Sequence, residues 1–289
     1  MELVALGSDF GVEIRGIALV DVAASDQAYQ TVRALFEEYS VLLFRDQKIT
    51  DDVQAAFSRA FGPLERVKIG SEGEGTFYSR LHNIAVDGSL VPETHRQALT
   101  ARANQLWHTD SSFKKTPALA SVLSARIVPR HGGDTELTST RQAWTRLSPA
   151  MRSRLSNAVV THAYAYSRDQ IDSELMTASE REALPPVRWR MTWRNPANGR
   201  IALYIASHAC AVEGLSDVEA RALLAELIAE ATRPGLTYHH QWRAGDVLMW
   251  DNRATMHRGR PWPYDEPRSM VRTTISAVEA DGLAELRPP

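Results

Sequence analysis

Hydrophobic residues recur along this chain with two periods, and each period predicts one kind of element. In residues 25–40 the apolar side chains fall three or four positions apart, which is the spacing of one helix face. A second helix is predicted after Thr50, a favourable N-cap, and Gly62-Pro63 ends it. The capping box of residues 216–219 opens a third helix.

Most other apolar positions form short runs or alternate with polar residues, which is typical of β-strands. Strands are predicted within residues 2–20 and at 41–44, 106–110, 118–128, 135–138, 159–166, 187–193, 201–205, 247–250 and 270–277. Residues 141–157 indicate helical turns broken at Pro149. Many short strands with few helices predict a mainly β fold with peripheral helices, of the double-stranded β-helix (jelly roll) type.

The chain contains no repeat, low-complexity tract or linker, so residues 1–289 are predicted to form one domain. Residues 64–105 are its least regular part, with several glycines and little periodicity. A loop of that length within a compact domain is usually functional, and we expect an active-site lid there.

Composition excludes several classes of function. A net charge of −2 gives no electrostatic basis for binding nucleic acid or an anionic membrane, and neither partner is expected. No run reaches the length of a membrane span, and the first residues lack the features of a signal peptide. The single cysteine, Cys210, allows no internal disulfide and fits a reducing compartment, so a cytoplasmic location is expected.

The first candidate chemistry is the segment Trp107-His108-Thr109-Asp110-Ser111. In an extended segment, residues two apart point to the same side, so His108 and Asp110 can present an imidazole and a carboxylate together. These are two of the three ligands of a 2-His-1-carboxylate facial triad, which holds Fe(II) and leaves coordination positions open. The pair alone is a weak signal, since a chain of this composition contains about one His-x-Asp/Glu by chance.

His257 is the candidate third ligand, because an apolar strand at 247–250 runs through the polar turn Asp251-Asn252-Arg253 and returns at this histidine. The other seven histidines are interpreted as packed or solvated: His82, His95, His131, His162, His208, His239 and His240. Distant ligands that a β-sandwich brings together are what a facial triad requires.

Arg268 and Arg272 follow on the predicted closing strand, and their separation of four places both on one face, about 13 Å apart. They could be solvated surface arginines. The apolar and β-branched residues between them instead indicate an inward face, where a guanidinium needs an anion such as a carboxylate.

Together these motifs give the chain a resemblance to a known family. The order Trp-His-Thr-Asp, Gly-Gly-Asp-Thr-Glu (132–136), Trp-Asp-Asn-Arg-x-x-x-His (250–257) and Arg-x-x-x-Arg (268–272) resembles the taurine/2,4-dichlorophenoxyacetate dioxygenases. The likeness extends from residue 11 to about residue 277. It implies a jelly-roll enzyme that uses Fe(II), O2 and 2-oxoglutarate as co-substrate, and a homo-oligomer.

The resemblance also implies roles for individual residues. His108, Asp110 and His257 would be the iron ligands, and Arg268 with the hydroxyl of Thr135 would bind the distal carboxylate of 2-oxoglutarate. A second group, expected to contact the substrate, consists of Arg272 (facing its acidic group), Asn104 and the backbone at Ser111.

The expected substrate is a small organic anion, and an aryloxyalkanoate carboxylate is favoured, with ether cleavage after hydroxylation. Residues 164–168 and 207–209 resemble the aryloxyalkanoate branch, whereas no histidine between 64 and 103 aligns with the sulfonate-binding histidine of the taurine enzyme. A sulfonate dioxygenase and a biosynthetic amino-acid or natural-product hydroxylase stay open as alternatives. A zinc hydrolase, a non-catalytic jelly-roll binding protein and a purely structural set of histidines are the more remote ones.

Overall fold

A computed structural model describes residues 1–7, 10–67 and 73–289. The strands are β1 (Glu2–Ala5), β2 (Val12–Arg15), β3 (Val41–Phe44), β4 (Ser79–His82), β5 (Ala118–Ile127), β6 (Thr135–Ser139), β7 (Val159–His162), β8 (Val187–Arg190), β9 (Thr192–Arg194), β10 (Ile201–Leu203), β11 (Ala209–Val212), β12 (Thr237–His240), β13 (Val247–Asp251), β14 (Thr255–Gly259) and β15 (Ser269–Ser276). The helices are α1 (Leu19–Ala24), α2 (Asp26–Tyr39), α3 (Asp51–Phe61), α4 (Arg96–Ala103), α5 (Thr140–Arg146), α6 (Pro149–Leu155), α7 (Tyr164–Asp169), α8 (Ala178–Ala183), α9 (Asp217–Ala231) and α10 (Leu283–Leu286), with a 3-10 turn at Glu279–Asp281.

Two facing sheets form the core, as the sequence predicts for a jelly roll. The major sheet has the strand order β1-β2-β3-β13-β5-β15-β4, and the minor sheet has the order β12-β6-β14. Leu137 of the minor sheet packs against Leu248, Trp250 and Met270 of the major sheet in one buried apolar cluster. This packing between the two inner faces is the arrangement of a β-sandwich.

Helices α2 and α3 cover the outer face of the major sheet. Ser25 and Thr50 cap them, since their side-chain oxygens accept from the N–H groups of Ala28 and Val53 at 3.3 and 3.2 Å. Both helices begin and end close to the predicted positions. The apolar faces of α2 and α3 pack against Val122 and Met249 of the sheet.

The predicted strand at residues 159–166 is wrong in its second half, where the chain forms α7. Strand β7 pairs with β11, and the last contact is between the N–H of Ala163 and the carbonyl of His208 at 2.8 Å. Because β11 provides no partner beyond that point, the next residues satisfy their backbone groups in a helical turn. The turn buries Tyr164 and Arg168.

Residues 64–105 are more regular than expected. Strand β4 extends the major sheet by pairing with β15, and α4 follows it. Helix α1 likewise occupies the end of the segment 2–20 that was predicted as strands. Residues 8–9 and 68–72, which belong to these two predicted segments, lie outside the described residues. No helix in the described part of the chain is long and apolar enough to cross a bilayer.

Candidate active site

His108 and His257 lie side by side because their backbones pair directly. The N–H of His108 donates to the carbonyl of His257 at 2.9 Å, and the N–H of His257 donates back at 2.7 Å. This antiparallel bridge attaches the His-x-Asp segment to β14, and the two imidazole centroids lie 4.2 Å apart. A single pair of hydrogen bonds thus holds together two residues that are about 150 positions apart in the sequence.

Asp110 is positioned by the turn between β13 and β14. Thr109 donates its hydroxyl to the carbonyl of Asn252 at 2.7 Å, and the N–H of Asp110 donates to Asn252 Oδ1 at 3.1 Å. The segment is extended only at His108, since Asp110 already lies in a turn. The carboxylate nevertheless faces the imidazoles, because Thr109 is directed away from them towards Asn252.

The three side chains form a compact and buried donor set. One nitrogen of each histidine and one oxygen of Asp110 lie within 4.8 Å of one another. His108 Nδ1 lies 2.7 Å from the carbonyl of Leu106, so that nitrogen carries the proton and Nε2 keeps its lone pair. His257 Nε2 lies 3.6 Å from Asp110 Oδ2, too far for a hydrogen bond. A cation between the two atoms would satisfy both.

Electrostatics keep all three groups in the form that binds a metal. Burial lowers the pKa of His108 and holds the pKa of His257 well below its usual value, so both imidazoles are neutral at physiological pH. Burial raises the pKa of Asp110, but the charge of Arg272, the two neighbouring imidazoles and the hydrogen bond from Ser121 together outweigh it and leave the pKa lowered. Two neutral imidazoles and one carboxylate on one side of a site fit Fe(II).

Two residues that the sequence analysis did not single out support the carboxylate. Ser121 of β5 donates its hydroxyl to Asp110 Oδ2 at 2.6 Å, and Asn252 Nδ2 donates to Ser121 Oγ at 3.0 Å. The only sequence signal for Ser121 is a hydroxyl within the mostly apolar strand β5, and Ser124 carries the same signal. Residues that hydrogen-bond to a metal ligand in this way orient the ligand, here Asp110, and adjust its affinity for the metal.

The donor set opens into a cavity of about 870 Å³. His108 and His257 line it, together with four residues predicted to bind co-substrate or substrate: Asn104, Thr135, Arg268 and Arg272. Apolar side chains form much of the remaining wall, and the segment 79–105 contributes one side of it.

Arg268 is buried at 8% exposure and has no carboxylate within ion-pairing distance among the described residues. Its Nη2 donates to the carbonyl of Gly133 at 3.1 Å, and its guanidinium lies over the Trp262 ring at 5.0 Å. Burial lowers the pKa of Arg268 to about 10, so it stays cationic at physiological pH. A buried cation of this kind fits the distal carboxylate of 2-oxoglutarate.

Thr135 Oγ1 accepts from Trp242 Nε1 at 3.0 Å, which leaves the hydroxyl proton of Thr135 available to a ligand.

The remaining predicted contacts differ from expectation in detail. Arg272 donates from Nη1 to Asp110 Oδ1 at 2.7 Å, so one edge of its guanidinium already serves the metal site. The hydroxyl of Ser111 donates to Glu65 at 3.0 Å, and Ser111 is not among the residues that line the cavity. Asn104 follows α4, and its carbonyl accepts from the N–H of Gly259 beyond His257.

A jelly-roll core that holds two histidines and one aspartate together at the wall of a cavity defines a mononuclear metalloenzyme of the facial-triad class. Residues 2–274 match the profile described as "Taurine catabolism dioxygenase TauD, TfdA family". The chain belongs to this TauD/TfdA family of dioxygenases.

Individual relatives cover almost the whole chain. The 2,4-dichlorophenoxyacetate dioxygenase of Cupriavidus pinatubonensis is 38% identical over 270 residues, which is 92% of this chain and 94% of that protein. The (S)-phenoxypropionate/alpha-ketoglutarate-dioxygenase of Sphingobium herbicidovorans is 31% identical, with 98% of this chain and 97% of that protein covered.

Among solved structures, that of AAD-2 in complex with Mn(II) and N-oxalylglycine superposes with a TM-score of 0.89. The two chains are 33% identical, over 97% of this chain and 99% of that one. A taurine dioxygenase from Burkholderia xenovorans superposes with a TM-score of 0.77 at 25% identity, over 96% of this chain and 89% of that one. The predicted family and fold are therefore confirmed.

Proposed function

We propose that this chain is an Fe(II)- and 2-oxoglutarate-dependent dioxygenase that hydroxylates a small organic anion, with an aryloxyalkanoate carboxylate as the favoured substrate. The observation that carries this is the buried donor set of His108, Asp110 and His257 at a cavity that is also lined by Arg268, which has no carboxylate partner among the described residues. A zinc hydrolase requires the three metal ligands, but it does not require a buried arginine such as Arg268 to bind a co-substrate.

Each residue has a defined task in this proposal. His108, Asp110 and His257 hold Fe(II), and Arg268 with Thr135 orients 2-oxoglutarate by its distal carboxylate. Bound Fe(II), 2-oxoglutarate and O2 supply the oxidising power to hydroxylate a C–H bond, with succinate and CO2 as by-products. Arg272, Asn104 and the backbone at Ser111 are the proposed substrate contacts, and their placement decides which C–H bond faces the metal.

Two observations favour an aryloxyalkanoate. The cavity wall contains the large apolar side chains Leu81, Leu175, Met176 and Trp250, which suit an aromatic ring. Both relatives described above are named for phenoxyalkanoate substrates. Hydroxylation of the carbon between the ether oxygen and the carboxylate gives a hemiacetal, which collapses to a phenol and an oxoacid.

Three further features belong to the proposal. Residues 64–105, of which the described segment 79–105 lines one side of the cavity, are proposed to act as a lid over the substrate within a single domain of residues 1–289. A cytoplasmic location follows from the single cysteine of the chain. A homo-oligomer without nucleic-acid or membrane partners stays a prediction.

The decisive experiment measures succinate from 2-oxoglutarate after the Fe(II)-loaded protein is exposed to O2. Phenoxyacetates and phenoxypropionates form one set of test compounds, and sulfonates, sulfate esters and amino acids form another. We expect succinate and phenol in a 1:1 ratio with the phenoxyalkanoates. Succinate formation with sulfonates but not with phenoxyalkanoates would change the proposed substrate class to sulfonates. Hydrolysis supported by Zn(II) without O2 would overturn the proposal.

A further inference from the structure

The charges that line the cavity are mostly balanced within the protein. Six arginines line it, and four have a carboxylate partner: Arg80 with Asp51 at 2.7 Å, Arg96 with Glu180 at 2.6 Å, Arg260 with Glu136 at 3.7 Å and Arg272 with Asp110 at 2.7 Å. In the described part of the chain, Arg168 and Arg268 have no such partner. Arg268 is assigned to 2-oxoglutarate, so the charge of Arg168 is not accounted for.

Arg168 is a buried side chain of helix α7. It is 5% exposed, and its Nε is buried without a hydrogen-bond partner among the described residues. Its guanidinium carbon lies 4.3 Å from the centroid of the Tyr164 ring, a cation–π contact that fixes the side chain within the cavity wall. A neighbouring acidic residue, Asp169, points away and pairs with Arg181 on the surface.

A short series of ring contacts connects Arg168 to the metal ligands. The Tyr164 ring lies 5.9 Å from His208, and His208 lies 6.1 Å from His108. Among the described residues, Arg168 is the cation on this side of the cavity that has no carboxylate partner.

Burying a guanidinium without an anion is costly, and the cost is recovered when a ligand supplies the anion. Arg272 is paired with Asp110, whereas Arg168 has no carboxylate partner among the described residues. We propose that Arg168 is a specificity-determining residue that binds the acidic group of the organic substrate. This inference rests on the proposed function and identifies the residue that selects anionic over neutral substrates.

The test compares binding of phenoxyacetate and of the neutral phenoxyacetamide by calorimetry, with Mn(II) and 2-oxoglutarate bound and O2 excluded. We expect the intact protein to prefer phenoxyacetate. In Arg168→Met, the affinity for phenoxyacetate should fall by about 10- to 100-fold, which is the loss expected when one charge-assisted hydrogen bond is removed. The affinity for the amide should be unchanged. Arg168→Lys should recover part of the preference.

Arg181→Met is the matched control, since it removes a nearby surface arginine that pairs with Asp169. It should keep the preference of the intact protein. Binding of 2-oxoglutarate reports whether Arg168→Met is folded, and Arg168→Gln serves as a second neutral variant.

Three outcomes contradict the inference in different ways. If Arg168→Met and Arg168→Gln keep the preference for the carboxylate, Arg168 does not select the anion. If the preference disappears only in Arg272→Met, the selecting residue is Arg272. If the intact protein binds neither compound and forms no succinate with phenoxyacetate, the proposed substrate class fails, and the inference fails with it.

Discussion

Arg272 donates from Nη1 to Oδ1 of Asp110 at 2.7 Å, so the metal-site carboxylate has a cationic partner before any metal binds. Asp110 is 5% exposed, and the Arg272 side chain is 21% exposed. The pair therefore lies in an environment where loss of one partner leaves a poorly solvated charge.

Arg272→Met should lower the free energy of unfolding of the metal-free protein by about 2–3 kcal/mol, below the figure for a fully buried pair because Arg272 is partly exposed. Bound Mn(II) can replace the missing positive charge, so the difference from the intact protein should shrink when Mn(II) is present. Urea unfolding with and without Mn(II) measures both values. An equal deficit in the two conditions would mean that Arg272 does not compensate Asp110.

Ser121→Ala should weaken metal binding by about 10- to 100-fold, because Asp110 Oδ2 loses the hydroxyl that orients it. Ser124→Ala is the matched control, since this hydroxyl lies on the same strand but donates to Gln54 at 2.7 Å. Both variants remove a buried hydrogen bond and should lose similar stability. Titration with Mn(II) distinguishes them, and equal Mn(II) affinities would show that the Ser121 contact has no influence on the metal site.

The sequence was sufficient where the signal is local. Caps such as Thr50 and Ser216 act within one helical turn, and the structure contains both as predicted. Helix α7 could not be predicted from residues 159–166, because their apolar pattern suits a strand and the pairing stops only because β11 begins at Ala209.

The same distinction holds in the site. His108, Asp110 and His257 were recognised from ordered motifs, and the pairing of β14 with the His-x-Asp segment brings them together. Ser121 reaches Asp110 only because β5 is held in register with β13 and β15, which no local pattern specifies. Arg168 enters the cavity through a helix that the sequence did not predict.

Arg268→Met should raise the apparent KM for 2-oxoglutarate by about 100-fold, since the distal carboxylate loses a charge-assisted partner in a buried site. The KM for the organic substrate should change much less. Initial rates of succinate formation at varied concentrations of each compound separate the two effects. The reverse pattern would exchange the roles proposed for Arg268 and for the substrate-facing arginines.

Gly133→Ala should also weaken the binding of 2-oxoglutarate, because a Cβ at this position would lie 3.0 Å from Nε of Arg268 and displace the guanidinium. Gly133 has a φ of +71°, so the variant also carries backbone strain. Gly199→Ala carries the same strain, at a φ of +69°, but its Cβ would meet nothing within 4 Å. Gly133→Ala should lose more stability, because its Cβ also crowds Arg268 and Pro129, and only Gly133→Ala should raise the KM for 2-oxoglutarate. An equal KM in the two variants would argue against Arg268 as the anchor.

His162 should make the protein sensitive to acid. It is fully buried, with Nδ1 2.9 Å from the Ser112 hydroxyl and Nε2 without a hydrogen-bond partner among the described residues. Burial lowers the pKa of His162 from 6.5 to about 4. Between these two values the unfolded chain binds a proton that the folded protein does not, so stability falls as the pH decreases through this window.

The contribution of His162 to this loss is at most about 1.4 kcal/mol per pH unit between pH 6.5 and about 4, and it ends below that range. His162→Gln, which carries no titratable group, should therefore show a shallower decrease of unfolding free energy over this window, even if it is less stable at pH 7.5. Urea unfolding at a series of pH values measures the slope, and the solvent-exposed His131 provides the control variant His131→Gln. If His162→Gln and the intact protein lose stability with the same slope, protonation of buried His162 does not contribute to acid unfolding.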